Sequence, residues 1–514
     1  MKTYKSLIIG LAVLSCFSCS DFLDEVPDNR VEIDNIEKAA QLVGNAYNPA
    51  AYLFTDWMSD NAANLQGVGK QPVVNDAFRW GKSNSVAQDS PEFFWNGAYG
   101  AIAHANEVLS RIDDLEGDAE RKQAVKGEAL MARAYNHFLI ASLFSKVYNP
   151  QTASSDLGIP YVTEPERELL KSYARGTVAE TYAKIERDLL QAIPLLNAGY
   201  YEGSGKYHFS RKSAWAFASR FYLFMGRFDK VLEYANLLLG DRPDEYVKDL
   251  HHIYDIQNGG SNLSQLLNSP DEEANLLLQY KQTVYFYTSR HGYGLSSELN
   301  GQIFSQAPYG AADVRRRLFY NIGGGAGVLY PKYEQLFERE NLASETGLPT
   351  TVQVELRGEE VLFNRMEASL YLWFQAAQAG DEVAAQEYLS SIFSDLNSFF
   401  PTRYDLEEGQ QADVNWWLVT TALALNIDPQ NPTDEELELI YQEAPTMLLR
   451  IILDEKRKEF VQEGMRWWDN LRYGMPITHI TASGEELVLL SEDPRRVIQI
   501  PETAIDLGMT PNPR

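Results

Sequence analysis

Three segments of the chain place aromatic rings beside hydrogen-bonding side chains, which makes them candidates for ligand binding. The face of an indole or a phenol can stack on the C–H face of a sugar ring, a contact worth on the order of 1 kcal/mol per ring. Amide, carboxylate and guanidinium groups can bond the hydroxyls at the rim, as in any specific pocket. Each of these side chains could instead serve core or loop packing. The candidate ligand-binding residues are Trp57, Asp60, Asn61, Asn75, Asp76, Arg79, Trp80, Tyr285, Tyr287, Arg290 and Tyr293.

No residue pattern predicts catalysis, so we do not expect an enzyme. A glycoside hydrolase needs two carboxyl groups about 5 to 9.5 Å apart across a cleft. The adjacent pair Glu359 and Glu360 falls at a predicted helix start, where negative charge suits the helix dipole. The neighbours His251 and His252 point in different directions, so they are a weak zinc site. No cofactor or metal site is predicted, and a calcium ion among the loop Asp and Asn residues stays an unsupported alternative.

The N-terminus predicts an export signal that ends at a lipid-attachment cysteine. Two lysines and the apolar run Leu7–Leu14 precede a short stretch of small residues. The run is far shorter than the roughly 20 apolar residues that span a bilayer. We predict a signal peptide over residues 1–18, lipid attachment at Cys19 or alternatively Cys16, and a lipidated tether over residues 19–31. A plain secretory signal is the remaining alternative, and no cysteine is left for a disulfide.

The charge of the chain excludes some partners. Its formal net charge is −27, which repels nucleic acid and anionic lipid headgroups. Neutral ligands, cationic ligands and protein partners remain. Hydrophobic residues make up 45% of the chain, which is enough to build a large core without disulfides.

The elements that must position the candidate residues are mostly helical. Apolar residues recur at helical spacing over residues 93–112 and 119–144, and Gly117 separates the two helices of this pair. Later pairs repeat this form with the small and aromatic spacing of tetratricopeptide units. We therefore predict a mostly α fold, in which tetratricopeptide-like helix pairs form a scaffold over about residues 93–240 and 359–397.

The helical period fails in a long stretch between these pairs. Residues 243–353 are rich in Gly, Asn, Ser and Tyr, and residues 52–92 behave similarly. Loops of that length inside a compact domain are usually functional. We predict an irregular, loop-rich ligand-binding region over about residues 243–353, and the two stretches together contain all of the candidate residues.

Several dispersed motifs follow one another in a consistent order. They are Cys19–Asp24 with Pro27, Trp95–Ile102, Gly127–Ala129 with Arg133–Tyr135, Arg175–Val178, Asp454–Phe460, Glu463–Arg472 and Ile498–Pro501. Together they resemble the SusD/RagB family, the surface lipoproteins that partner TonB-dependent transporters in the outer membrane of Gram-negative bacteria. The resemblance is strongest at residues 454–472, within a C-terminal family signature assigned to residues 445–514.

The resemblance implies a single SusD-like domain over residues 32–514, anchored by lipid at the outer membrane and exposed at the cell surface. Such a protein would capture an oligosaccharide or polysaccharide and deliver it to a SusC-like TonB-dependent transporter. Because some family members bind peptides, a RagB-like peptide-capturing protein is the first alternative. A non-binding assembly scaffold is the second.

Overall fold

The structure is a computed structural model that describes residues 33–65, 71–168, 171–201, 203–257, 259–260, 262–288, 292–334, 336–339 and 347–514. The predicted signal peptide, both cysteines and the whole of the tether region lie outside the described residues, as does Arg290. Within the described ranges, no helix combines the length and the apolar character needed to cross a membrane.

The fold is mostly helical, as predicted. The α-helices span Ile36–Val43, Phe54–Met58, Pro72–Phe78, Pro91–Arg111, Ala119–Phe144, Val178–Ala192, Arg211–Met225, Phe228–Leu239, Leu250–Ile256, Leu263–Leu267, Tyr285–Thr288, Ser297–Ile303, Gly358–Ala379, Glu382–Phe399, Val414–Ala424, Asp434–Glu459, Arg466–Arg472 and Glu502–Asp506.

The long helices pack in consecutive pairs, which confirms the tetratricopeptide-like scaffold. Helix Pro91–Arg111 lies against Ala119–Phe144, which also contacts the next long helix. Helix Gly358–Ala379 contacts both Phe228–Leu239 and Glu382–Phe399. Because short connections join the helices of each pair, they run as antiparallel neighbours.

Capping side chains explain why these helices begin where the sequence pattern places them. The Ser90 hydroxyl accepts from the Phe93 amide at 3.1 Å, and the Asp118 carboxylate accepts from the Arg121 amide at 2.7 Å. Each such bond satisfies one amide that the first helical turn leaves unpaired. Thr177 forms a complete capping box in the same way.

The loop-rich region contains more regular structure than the sequence predicted. Strand Gly347–Arg357 is the centre of a three-stranded antiparallel sheet, with Asn275–Gln282 on one side and Leu336–Arg339 on the other. The helical period is absent from this region because part of it forms extended strands rather than irregular loops. The remaining strands form two-stranded antiparallel ladders: Ala63–Asn64 with Tyr293–Gly294, Tyr320–Ile322 with Gly327–Leu329, and Ile477–Ile480 with Glu486–Leu489.

Residues 454–472, here called the signature segment, do not form one continuous helix. A helix ends at Glu459 and another begins at Arg466, with positive φ at Gln462 and Gly464 between them. The ion pairs exist, but they are buried and several join distant parts of the chain. Arg472 pairs with Glu367 at 2.9 Å, for example, far from its own helix.

Gly464 provides a direct test of how tightly the signature segment is packed. Its φ is +76°, and a Cβ there would lie 2.5 Å from Thr55 Oγ1 and 3.1 Å from the Tyr52 carbonyl oxygen. Gly464→Ala should therefore lower the free energy of unfolding by about 2–4 kcal/mol, since left-handed strain and a clash add. Gly226→Ala is the matched control because its φ is +68° and a Cβ would meet nothing within 4 Å. Urea denaturation that gives equal losses for the two variants would contradict the packing argument.

Candidate functional site

The structure brings the three candidate segments together at one place. Strand Ala63–Asn64 pairs with Tyr293–Gly294, and the Leu65 amide donates to the Gly292 carbonyl oxygen at 2.9 Å. Helix Pro72–Phe78 packs against the same ladder. We call this meeting point the loop junction and define it as residues 57–65, 72–80, 283–288 and 292–294.

Two of the candidate rings form the floor of the loop junction rather than its surface. Trp57 and Tyr285 are 0% and 1% exposed, and their ring centroids lie 5.2 Å apart in a stacked pair. The Tyr285 hydroxyl donates to Asp56 Oδ2 at 2.5 Å. Burial raises the pKa of the Asp56 carboxyl to about 6, although the Tyr285 hydrogen bond opposes the shift. Neither ring therefore presents an exposed face to a ligand, and a binding role for them stays a prediction.

The other two rings are buried in a stack of four. Tyr293 stacks on Phe78 at 3.7 Å, Phe78 on His479 at 4.1 Å and His479 on Trp80 at 4.5 Å. The Trp80 indole nitrogen donates to the Met58 carbonyl oxygen at 2.8 Å. Because the stack joins three distant segments of the chain, Trp80 and Tyr293 position the loops and do not face solvent.

Asp60 and Asn61 are committed to the signature segment. Asp60 accepts from Arg466 at 2.8 and 2.9 Å and from Asn470 at 3.0 Å. Asn61 Oδ1 accepts from Arg457 Nε at 2.7 Å. Burial alone would raise the pKa of Asp60, but the neighbouring guanidinium groups outweigh it and hold that pKa well below its usual range. Both side chains therefore anchor the loop junction to the domain.

Three of the candidate polar residues remain partly accessible. Asn75, Asp76 and Arg79 lie along the rim of the loop junction and are half-buried. Arg79 donates to Glu485 at 3.0 Å in a pair that is largely exposed. The side chain of Tyr287 and all of Arg290 lie outside the described residues, so their binding roles stay predictions.

Two exposed rings near the loop junction were missed by the sequence reasoning. Phe337 is 59% exposed and pairs in register with Pro349, whose carbonyl oxygen accepts from the Thr283 amide at 3.1 Å. Tyr320 is 38% exposed and lies opposite Leu329, which packs against Leu65. The glycines at 323–325 between two short apolar runs were the available signal, since they mark a tight turn between strands.

A second concavity lies elsewhere, against the scaffold. It is a groove of about 280 Å³ between helix Pro91–Arg111, the loop at residues 160–173 and residues 503–509. Tyr99 and Tyr173 contribute rings to its wall, and Lys171 lies 5.2 Å over the Tyr173 ring. The volume is slightly below the range of about 300–1,000 Å³ that small-molecule pockets occupy. Among the described residues, no group of three or more His, Cys, Asp or Glu side chains could hold a metal ion there or elsewhere.

Comparisons with known proteins agree with this architecture. A family model described as SusD-like, starch-binding and associating with the outer membrane matches residues 21–223. SusD-like protein P2 of Formosa agariphila is 26% identical over 279 residues, and the alignment spans about half the length of each protein.

Solved structures extend the similarity in fold to nearly the whole chain. A SusD superfamily protein from Bacteroides thetaiotaomicron superposes with a TM-score of 0.65 at 18% identity, over 93% of this chain and 100% of that one. A laminarin-binding SusD-like protein gives a TM-score of 0.57 at 15% identity, over 93% and 98% of the two chains. The chain is therefore similar to SusD-like proteins in sequence over residues 21–223, and it shares the fold of SusD superfamily proteins over nearly its whole length.

Proposed function

We propose that this protein, like the SusD/RagB family it resembles, captures an oligosaccharide or polysaccharide at the loop junction and passes it to a SusC-like TonB-dependent transporter. It acts as a binding protein and not as an enzyme. The observation that carries the proposal is the convergence of the three candidate segments on one ladder, with the exposed rings of Phe337 and Tyr320 beside it. Sugar faces stack on such rings, and Asn75, Asp76 and Arg79 supply hydrogen-bonding groups at the rim.

The names of similar proteins support a carbohydrate as the ligand class. The matching family model is described as starch-binding, and one protein of similar fold binds laminarin. Both polymers are neutral, which suits a chain with a net charge of −27. Neutral glucans are therefore the first ligands to test.

The N-terminal sequence and the description of the matching family model support a location at the outer membrane. The family model is described as associating with the outer membrane. Lipid on Cys19, or on Cys16, would hold the protein at the cell surface, and the helix-pair scaffold would pack on the transporter. Weak capture is sufficient in this arrangement, because a tether keeps protein and transporter at high effective concentration.

Alanine substitution of the exposed rings tests the proposed glycan site. Phe337→Ala and Tyr320→Ala should each weaken binding about fivefold to tenfold, since each stacked ring contributes on the order of 1 kcal/mol. Affinity electrophoresis and calorimetry against laminarin, starch and a panel of other polysaccharides would measure the loss.

Matched exposed rings elsewhere on the chain control for non-specific effects. Phe374 is 49% exposed on helix Gly358–Ala379, and Tyr441 is 62% exposed on helix Asp434–Glu459. Phe374→Ala and Tyr441→Ala should both retain full binding. If all four variants hold the polymer equally well, the loop junction is not the glycan site. If the unaltered protein retains cationic peptides and no glycan, the peptide-capturing alternative is correct.

A further inference from the structure

A small cavity lies where the loop-rich region meets the signature segment, and cations dominate its walls. Its volume is about 40 Å³, and its apolar lining includes Leu250, Leu318 and Val461. Of the described residues that line it, two are carboxylates, Glu459 and Glu463. Its five cationic lining residues are Lys248, Arg315, Lys332, Arg357 and Lys458.

The charges around the cavity do not balance. Three further carboxylates contact the lining cations from outside the cavity: Asp313 and Glu455 pair with Arg315, and Glu359 pairs with Lys248. One further cation, Arg403, pairs with Glu359 and Glu459. The described cluster therefore holds six cations against five carboxylates. Burying one uncompensated positive charge is costly, so a bound anion would stabilise it.

Two of the lining cations also have unused hydrogen-bond donors. Arg315 is 3% exposed, and its Nη1 has no hydrogen-bond acceptor among the residues that the structure describes, with Glu459 Oε2 at 3.6 Å. Lys248 is 1% exposed, and its ammonium reaches Glu359 only at 3.5 Å. A buried ammonium or guanidinium without enough acceptors is unusual, because such groups are normally satisfied by protein, water or ions.

The size of the cavity limits what could satisfy these donors. A volume of about 40 Å³ accommodates about three water molecules, since one water needs roughly 10–15 Å³. A sugar ring is far too large. We propose that this cavity binds one chloride-sized monovalent anion, held by Arg315 and Lys248, which locks the loop-rich region onto the signature segment.

Two of the lining lysines have lowered pKa values, and burial is the main cause in each. Burial lowers the pKa of Lys332 well below its usual range, and the neighbouring Arg357 lowers it further. Burial also lowers the pKa of Lys248 to about 8, although Glu359 opposes the shift. An anion in the cavity would oppose the lowering of both pKa values, because it would stabilise the charged ammonium groups.

Halide-dependent stability tests the proposal on the unaltered protein. The thermal midpoint should rise by a few degrees and saturate as sodium chloride replaces sodium gluconate at constant ionic strength, because gluconate cannot enter the cavity. Lys248→Met should abolish this chloride-dependent rise. Arg317→Met is the matched control, since Arg317 lies two residues from Arg315 in an exposed pair with Asp405 and should leave the rise unchanged.

Crystals of the unaltered protein soaked in sodium bromide provide a readout that does not depend on the folding of a variant. Anomalous scattering should place bromide in the cavity, within hydrogen-bonding reach of Arg315 Nη1 and Lys248 Nζ. Water alone in the cavity, or identical midpoints in chloride and gluconate, would overturn the proposal. Neither result would bear on glycan capture at the loop junction, which the ring variants test separately.

Discussion

Replacing Trp57 with alanine should destabilise the protein by about 3–5 kcal/mol, the usual cost of truncating a large buried aromatic side chain. Trp57 is completely buried and stacks on Tyr285 at 5.2 Å. Its loss would leave a cavity beneath the loop junction and separate the two segments that the stack joins. Urea denaturation followed by circular dichroism would measure the change in the free energy of unfolding.

The same variant distinguishes a core residue from a sugar platform. Phe374→Ala is the control, because that ring is 49% exposed and its removal should change stability by less than about 0.5 kcal/mol. If Trp57→Ala unfolds at the same urea concentration as the unaltered protein yet loses polysaccharide binding, Trp57 is a surface platform and the buried position described above is not the one that binds. If Trp57→Ala lowers both stability and polysaccharide binding, Trp57 is a buried residue that positions the binding loops.

Replacing Arg403 with methionine should cost about 3–5 kcal/mol, because it removes one partner of a buried ion-pair network. Arg403 is 0% exposed and donates to Glu459 at 2.8 and 2.9 Å and to the Lys248 carbonyl oxygen. Glu459 would then remain buried with much of its compensating charge gone. Burial tends to raise the pKa of Glu459, but the cations, with Arg403 foremost, hold it well below its usual range.

The expected cost depends on burial and not on the mere presence of an ion pair. Arg450→Met breaks a pair with Asp454 at 3.7 Å in which the arginine is 69% exposed. Exposed pairs contribute about 0–1 kcal/mol, so this variant should be nearly neutral. Similar midpoints for the two variants in urea would show that the Arg403 network does not stabilise the fold. If only Arg403→Met lowers the free energy of unfolding, the buried ion pairs of the signature segment stabilise the fold.

The helical scaffold could be predicted because its signals are local. The pair at residues 93–112 and 119–144 was placed within two residues of the observed helices, since apolar period and capping residues act over a few residues of chain. The strand Gly347–Arg357 was missed because its partner, Asn275–Gln282, lies about 70 residues away in the sequence. Pairing at that separation leaves little mark on the sequence near either strand.

The sequence could predict where the candidate segments lie but not which of their side chains are exposed. Composition located the segments that meet at the loop junction, because rings beside amides and carboxylates are visible in the sequence. It could not determine which rings face solvent. Tyr285 is buried because Asp56, 229 residues earlier, accepts its hydroxyl, whereas Phe337 is exposed because it lies on an edge strand. In a segment without a period of 2 or 3.6 residues, neighbouring positions carry no information about which face a side chain occupies.

Local sequence patterns predicted the helix pairs and named the candidate ligand-binding segments, and dispersed motifs indicated a resemblance to the SusD/RagB family. Only contacts in the tertiary structure show that Trp57 and Trp80 are buried, and that many of the charges at residues 454–472 form buried ion pairs. The physical reason is that burial and ion pairing are settled by contacts between residues far apart in the chain, while helix formation and capping are settled within a few residues.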